Sequence, residues 1–139
     1  MKTIISLTVL ACLTLLAGCA TKTDSTETDS NCNGGKTHSW KAWNNLQPGG
    51  DKQCHVVGKV SVNSGGWTAT LTKSARIPIN PDYLFLDLKV TRPSGPTTQP
   101  VRDLEVQYAE KLPTNKYKYV HVFCVGKDVV AEINVEDAH

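Results

Sequence analysis

The chain has 139 residues with 15 Lys and Arg against 13 Asp and Glu, a formal charge of +2. Near-neutrality without a basic cluster argues against nucleic acid and against electrostatic binding to a membrane surface, both of which need concentrated positive charge. The length allows one domain of ordinary size, and the absence of helical heptads and internal repeats excludes coiled-coil and solenoid architectures.

The first segment is a leader. Met1-Lys2-Thr3 supplies one positive charge, and an apolar run follows from Ile4 to Leu16, broken only by Ser6, Thr8, Cys12 and Thr14. That run fits a signal peptide and is shorter than the roughly 20 residues a bilayer span needs. It ends in Leu16-Ala17-Gly18-Cys19. These residues resemble the lipobox of bacterial lipoproteins. The resemblance implies cleavage before Cys19, acyl chains on that cysteine, and anchorage in the bacterial envelope. Ala20, where a retention aspartate is absent, implies the outer membrane. The competing expectation is an ordinary secreted protein cut after Gly18-Cys19-Ala20. Residues 1–18, with Cys12, are therefore read as removed. Two or more acyl chains anchor stably because each buried CH₂ contributes about 0.8 kcal/mol.

Residues 19–33 are read as anchor and tether. From Ala20 to Asn31 the chain is rich in Thr, Ser, Asp and Glu with no large apolar side chain, too little to offset its ordering entropy. About a dozen such residues reach roughly 20 Å on flexible-chain scaling. Residues 34–139 then form a single domain. Loss of Lys2 leaves 14 cations against 13 acids in the mature chain.

Strand signals fill that domain. Val56, Val60 and Val62 recur at period two, and Trp67, Ala69 and Leu71 alternate with Thr68, Thr70 and Thr72. Such alternation suits half-buried strands. Asn63-Ser64-Gly65-Gly66 between them reads as a hairpin loop. Leu84, Leu86, Leu88 and Val90 face inward, with Tyr83, Phe85, Asp87 and Lys89 outward. Leu104, Val106 and Tyr108 share a face on the next run. Tyr117 to Val125 and Asp128 to Val135 make a last pair, joined at Gly126-Lys127 with glycine expected at the first central position of the turn. A seventh strand is expected around 38–43. Proline-bearing segments, Ile77 to Pro81, Arg92 to Pro100 and Leu112 to Asn115, separate the runs because proline cannot donate to a ladder. Short strands at this spacing predict an all-β fold: an antiparallel immunoglobulin-like β-sandwich, or alternatively a small closed β-barrel.

From Trp40 onward the chain resembles a group of small uncharacterised bacterial β-domain proteins. The shared features are Gly58-Lys59-Val60, Thr68-Ala69-Thr70-Leu71, Ile79-Asn80-Pro81 and Val106-Gln107-Tyr108, with a histidine at the end. The resemblance implies one compact β domain and no particular activity; the lipobox and cysteines depart from it.

Three cysteines remain in the mature domain, in a compartment expected to be oxidising. Cys32–Cys54 is the favoured bridge, with a stabilisation of about 3 kcal/mol. It would leave Cys124 as a buried thiol; the rival is Cys54–Cys124. His121 and Cys124 have a metal-like spacing, but positions three apart on a strand face opposite sides. No metal, cofactor or catalytic residue is therefore assigned. Serines lie in turns with no nucleophile elbow. Asp87 and Glu105, on outward strand faces, read as solvated surface. His38, Trp40 and Trp43 are the leading binding candidates, since tryptophans anchor interfaces and stack on sugars. The competing reading places one or both tryptophans against the core. A second candidate is the outward set Tyr83, Phe85, Tyr117 and Tyr119. The expected function is a non-enzymatic binding module held at the membrane through acylated Cys19, its partner an envelope protein or glycan. Alternatives are an inhibitor of an envelope hydrolase or a small hydrolase. Replacing Cys19 by serine is expected to release the protein from membranes and to abolish labelling with a radioactive fatty acid; unchanged labelling refutes the anchor.

Overall fold

The computed structural model describes residues 30–95 and 100–139. The leader, Cys19 and most of the tether lie outside the described residues. The domain is all-β. Its strands are β1 (Ser30–Cys32), β2 (Gly35–Asn45), β3 (Gln53–Val62), β4 (Thr68–Lys73), β5 (Tyr83–Thr91), β6 (Arg102–Lys111), β7 (Tyr119–Cys124) and β8 (Val129–Ala138).

One mixed sheet contains them all, in the order β4-β5-β7-β8-β2-β3-β6, with β1 added beside β2. The end strands β4 and β6 lie against each other, so the sheet curls into a nearly closed barrel. This is the closed-barrel alternative rather than two facing sheets. Two pairings, β5 with β7 and β2 with β8, are parallel, which corrects the all-antiparallel expectation. The cause is the length of β8. Residues up to Asn134 pair with β7, and Val135 to Ala138 pair with β2. A sandwich would break the sheet at that point; here a single strand joins the two parts. Strand alternation does not separate the two outcomes, because a barrel interior and a sandwich interior both take every second side chain.

The inward sets of the sequence form the core. Leu84, Leu86, Leu88 and Val90 are buried with Val56, Val60, Val62, Leu71, Val106, Val120 and Val122. Each such side chain contributes about 1.5–3 kcal/mol when fully buried. Two turns differ from expectation. Residues 63–66 are no hairpin: Val62 pairs with Arg102 of β6, and β4 pairs with β5. The partner position beside β3 is already taken, so the chain crosses the start of β6. In the β7–β8 turn, Lys127 N–H donates to Cys124 O at 2.8 Å. Gly126 is therefore the second central residue, with φ +72°, the position where left-handed backbone favours glycine.

The disulfide joins Cys32 to Cys124, and Cys54 is a buried free thiol. This corrects both expected pairings. Cys32 faces Gly35 at the start of β2, whereas Cys54 faces Asn44 near its end. Nine residues of strand place those positions about 30 Å apart, while a disulfide needs its Cα atoms within about 7 Å. Cys32 and Cys124 share the upper end of the barrel, with Cα atoms 5.4 Å apart. Cys54 lies at the lower end. Since β1 pairs with β2 and carries the bridge, residues 30–33 belong to the fold, ahead of the boundary expected at 34. Peptide mapping without reduction is expected to recover Cys32 linked to Cys124. Replacing both by alanine should lower unfolding free energy by about 2–5 kcal/mol in urea titrations, given the length of chain that the bridge encloses.

Candidate functional site

His38, Trp40 and Trp43 do not converge. A bulge lies between His38 and Lys41 of β2, with Ser39 at φ +55°. It turns Trp40 inward, against the core. The indole lies on Gly58 of β3, where a Cβ would collide with the ring, so glycine is required there. Trp40 Nε1 is buried without a hydrogen-bond partner among the described residues. Trp43 is on the outer face, stacked on His55 with ring centres 5.3 Å apart. Opposite faces rule out a joint platform.

His38 is also on the outer face. Its Nε2 lies 2.9 Å from Ser61 Oγ and 3.3 Å from Asp103 Oδ1, and its Nδ1 lies 2.9 Å from Ser39 Oγ. Ser61 donates its single hydroxyl proton to Asp103. The hydrogen-bond network therefore assigns Nε2 as a donor to Ser61, so the imidazole lacks the lone pair that a base acting on Ser61 requires. Hydrogen bonds from Ser61, then His38, hold the Asp103 carboxyl below its ordinary range. This is a carboxylate-capped hydroxyl on a convex sheet. Asp87 and Glu105 are likewise separated: β5 neighbours β4 and β7, whereas β6 neighbours β3.

Three of the four expected outward aromatics, Tyr83, Phe85 and Tyr119, converge. The parallel register of β5 and β7 pairs Tyr83 with Tyr119 and Phe85 with His121. Tyr83 and Tyr119 stack at 4.9 Å, and Phe85 and His121 at 5.5 Å. Tyr83 meets the His121 edge at 5.0 Å, and Phe85 meets Phe123 at 5.2 Å. The result is a continuous row of five rings on the outer face. Tyr119 is 39 % exposed; Tyr83, Phe85 and His121 are half-buried. Phe123 is covered by the Arg76 guanidinium, 4.2 Å from its ring centre. Arg76 belongs to the loop 74–82, which also presents Ile77 and Ile79 to solvent. His121 and Phe123 were missed as partners of the row. Their signal is the alternation of Tyr119, His121 and Phe123 against Val120, Val122 and Cys124; the missing information was the β5–β7 pairing.

Tyr117 departs from the expected set. It precedes β7 and turns to the lower end, where its hydroxyl donates to Glu110 Oε1 at 2.7 Å. Glu110 Oε2 accepts from Tyr108 at 3.1 Å and from Lys73 Nζ at 2.9 Å. Lys73 is on β4 and Glu110 on β6, so this ion pair spans the barrel's seam. Burial alone would raise the Glu110 carboxyl. The bonds from Tyr117, Lys73 and Tyr108 outweigh it and hold the group below its ordinary range. Burial, with Glu110 nearby, pushes the Tyr108 hydroxyl and the Cys54 thiol each up to about 12. A thiol that weakly acidic is unreactive at neutral pH. Beside it the buried Asn44 amide donates to Tyr117 O at 2.8 Å and Asp137 Oδ1 at 2.9 Å. The cluster ties strand ends together. At the upper end, a half-open recess of about 330 Å³ lies over the disulfide, with Asn33, Lys89 and Lys127 in its wall.

A carboxyl whose pKa is lowered by folding binds fewer protons in the folded state. Its contribution is present above the ordinary glutamate range and is lost as pH falls through the folded value. Glu110→Gln is expected to cost about 1–3 kcal/mol at pH 7, as a charged hydrogen-bond acceptor is lost. The penalty should shrink as pH falls below the ordinary glutamate range, leaving the acid dependence of Asp103 and Asp137, both also lowered; denaturant titrations across pH check this. No protein-family model, curated protein or solved structure matches this chain.

Proposed function

We propose that this chain is a lipid-anchored lipoprotein of the bacterial envelope whose barrel domain is a non-catalytic binding module. Its contact face is the aromatic row of β5 and β7, and its partner is an envelope protein or glycan. The anchor rests on the lipobox at Leu16-Ala17-Gly18-Cys19. The observation that supports binding is the row itself: ring faces and edges held at fixed spacing on a rigid sheet, in partial contact with water. Rings already stacked lose little side-chain freedom when a partner covers them, which favours binding. Aromatic side chains dominate interface hot spots and stack equally on peptide and sugar surfaces.

The reading replaces His38, Trp40 and Trp43 as the binding site. Trp40 is part of the interior, and Trp43 with His55 is an isolated pair across the barrel from the row. Tyr83→Ser combined with Tyr119→Ser is expected to reduce partner capture at least about tenfold in cells carrying a photo-crosslinker on the β7 face, since one hot-spot ring is worth 2 kcal/mol or more. Circular dichroism should show the fold retained. Capture at the parental level in a folded variant refutes the row as the contact face.

A further inference from the structure

The loop 74–82 joins β4 to β5 and carries Arg76-Ile77-Pro78-Ile79-Asn80-Pro81. Ile77 is 90 % exposed and Ile79 105 %, the two highest values among the large apolar side chains of the described residues. Both roots of the loop are fixed. Arg76 N–H donates to Ser74 Oγ at 3.2 Å, and the Arg76 guanidinium donates to Lys127 O at 3.3 Å while covering Phe123. At the other root, Asp82 N–H donates to Asn80 Oδ1 at 2.9 Å and Tyr83 N–H to Asn80 O at 3.2 Å. Pro78 restricts the backbone between the two isoleucines. The loop is thus braced in a shape that holds two bare apolar side chains in water.

Its charge is one-sided. The loop's acid, Asp82, is paired with Lys118 Nζ at 2.9 Å. Arg76 and Lys127 have no carboxylate partner among the described residues. Two protruding apolar side chains next to the uncompensated Arg76 in sequence, with Lys127 on the adjoining β7–β8 turn, match one surface chemistry well: anionic headgroups over an acyl layer. Chain length adds a second argument, which rests on the lipoprotein reading. Ten residues lie between Cys19 and Ser30, so even a fully extended connection spans at most about 40 Å. A domain confined that close to a bilayer meets it at high effective concentration, where a two-residue contact suffices.

We propose that the loop 74–82 docks the domain onto the lipid surface, with Ile77 and Ile79 entering the boundary between headgroups and acyl chains. Docking fixes which face of the barrel looks along the membrane, and it sets the aromatic row beside the lipid surface.

The test separates this contact from natural acylation. Full-length mature chain carrying Cys19→Ser and an added amino-terminal hexahistidine tag is held on vesicles of phosphatidylethanolamine and phosphatidylglycerol, about three to one, with nickel-chelating lipid. An environment-sensitive fluorophore is attached through Ile79→Cys, or through Lys41→Cys on β2 across the barrel; the native free thiol, Cys54, is buried. Docking predicts blue-shifted emission at position 79 and quenching by acyl-chain spin labels at least about threefold stronger than at position 41. Equal quenching at both positions overturns the proposal. A blue shift at position 79 without lipid quenching also overturns it, because the loop is then covered by a second copy or another protein. Intact mass of the natural protein reads acylation separately. An unmodified Cys19 refutes the anchor and leaves the loop measurement standing.

Discussion

The architecture depends on β8 holding two ladders in succession. Its first half is antiparallel to β7 and its second half parallel to β2. Every other strand belongs to one side of that junction: β4, β5 and β7 on one flank, β1, β2, β3 and β6 on the other. Near its start, β8 carries Val130 as an extra residue between Val129, which faces Phe123, and Ala131, which faces Val122; such bulges increase local twist and bend strands. The curl that carries β6 round to β4 follows from this continuity, and so does the outward presentation of β5 and β7 with their rings.

The two ends of the barrel are secured by different chemistry. The upper end is locked covalently: β1 fills the space beside β2 that β8 has left, and Cys32 ties it to the last residue of β7. The lower end is held by polar contacts: Lys73, Tyr108 and Tyr117 on Glu110, Asn44 on Asp137, and Lys116 on Asp137. The upper end therefore answers to redox conditions, and the lower end, held without a covalent link, to acid. Between them the half-buried Trp40 packs against the core, where the bulge and Gly58 admit an indole.

Much of the strand content was legible because period-two alternation reports burial directly. Leu84, Leu86, Leu88 and Val90 face inward as their spacing implies, and Tyr83 and Phe85 face outward. Alternation says nothing of which strand lies beside which. The hairpin read at 63–66, the β5–β7 parallel register and the Cys32–Cys124 pairing all depend on neighbours distant in sequence. Cys54 illustrates the limit. It alternates with Val56 as a core residue should, yet its height in the barrel is visible only once β2 and β3 are in register. The candidate site was half legible for the same reason. Tyr83, Phe85 and Tyr119 stood out as outward aromatics, while His121 and Phe123 join them through pairing. Tyr117 left the set because it lies outside β7, where strand parity no longer applies. Trp40 was displaced by a bulge that no glycine or proline announces.

The seam between β4 and β6 has one further consequence. These strands close the barrel by side-chain contact, with the Lys73–Glu110 ion pair across the gap, while the hydrogen-bonded path runs the long way round. A wall joined in this manner parts more cheaply at that line than anywhere along its ladders. Transient parting would bare the edges of β4 and β6 together and admit solvent to Leu71 and Val106 while the disulfide stayed intact. In hydrogen-exchange terms, the amides of β4 belong to the first cooperative unit to open and those of β3, paired with β2 on one flank and β6 on the other, to the last.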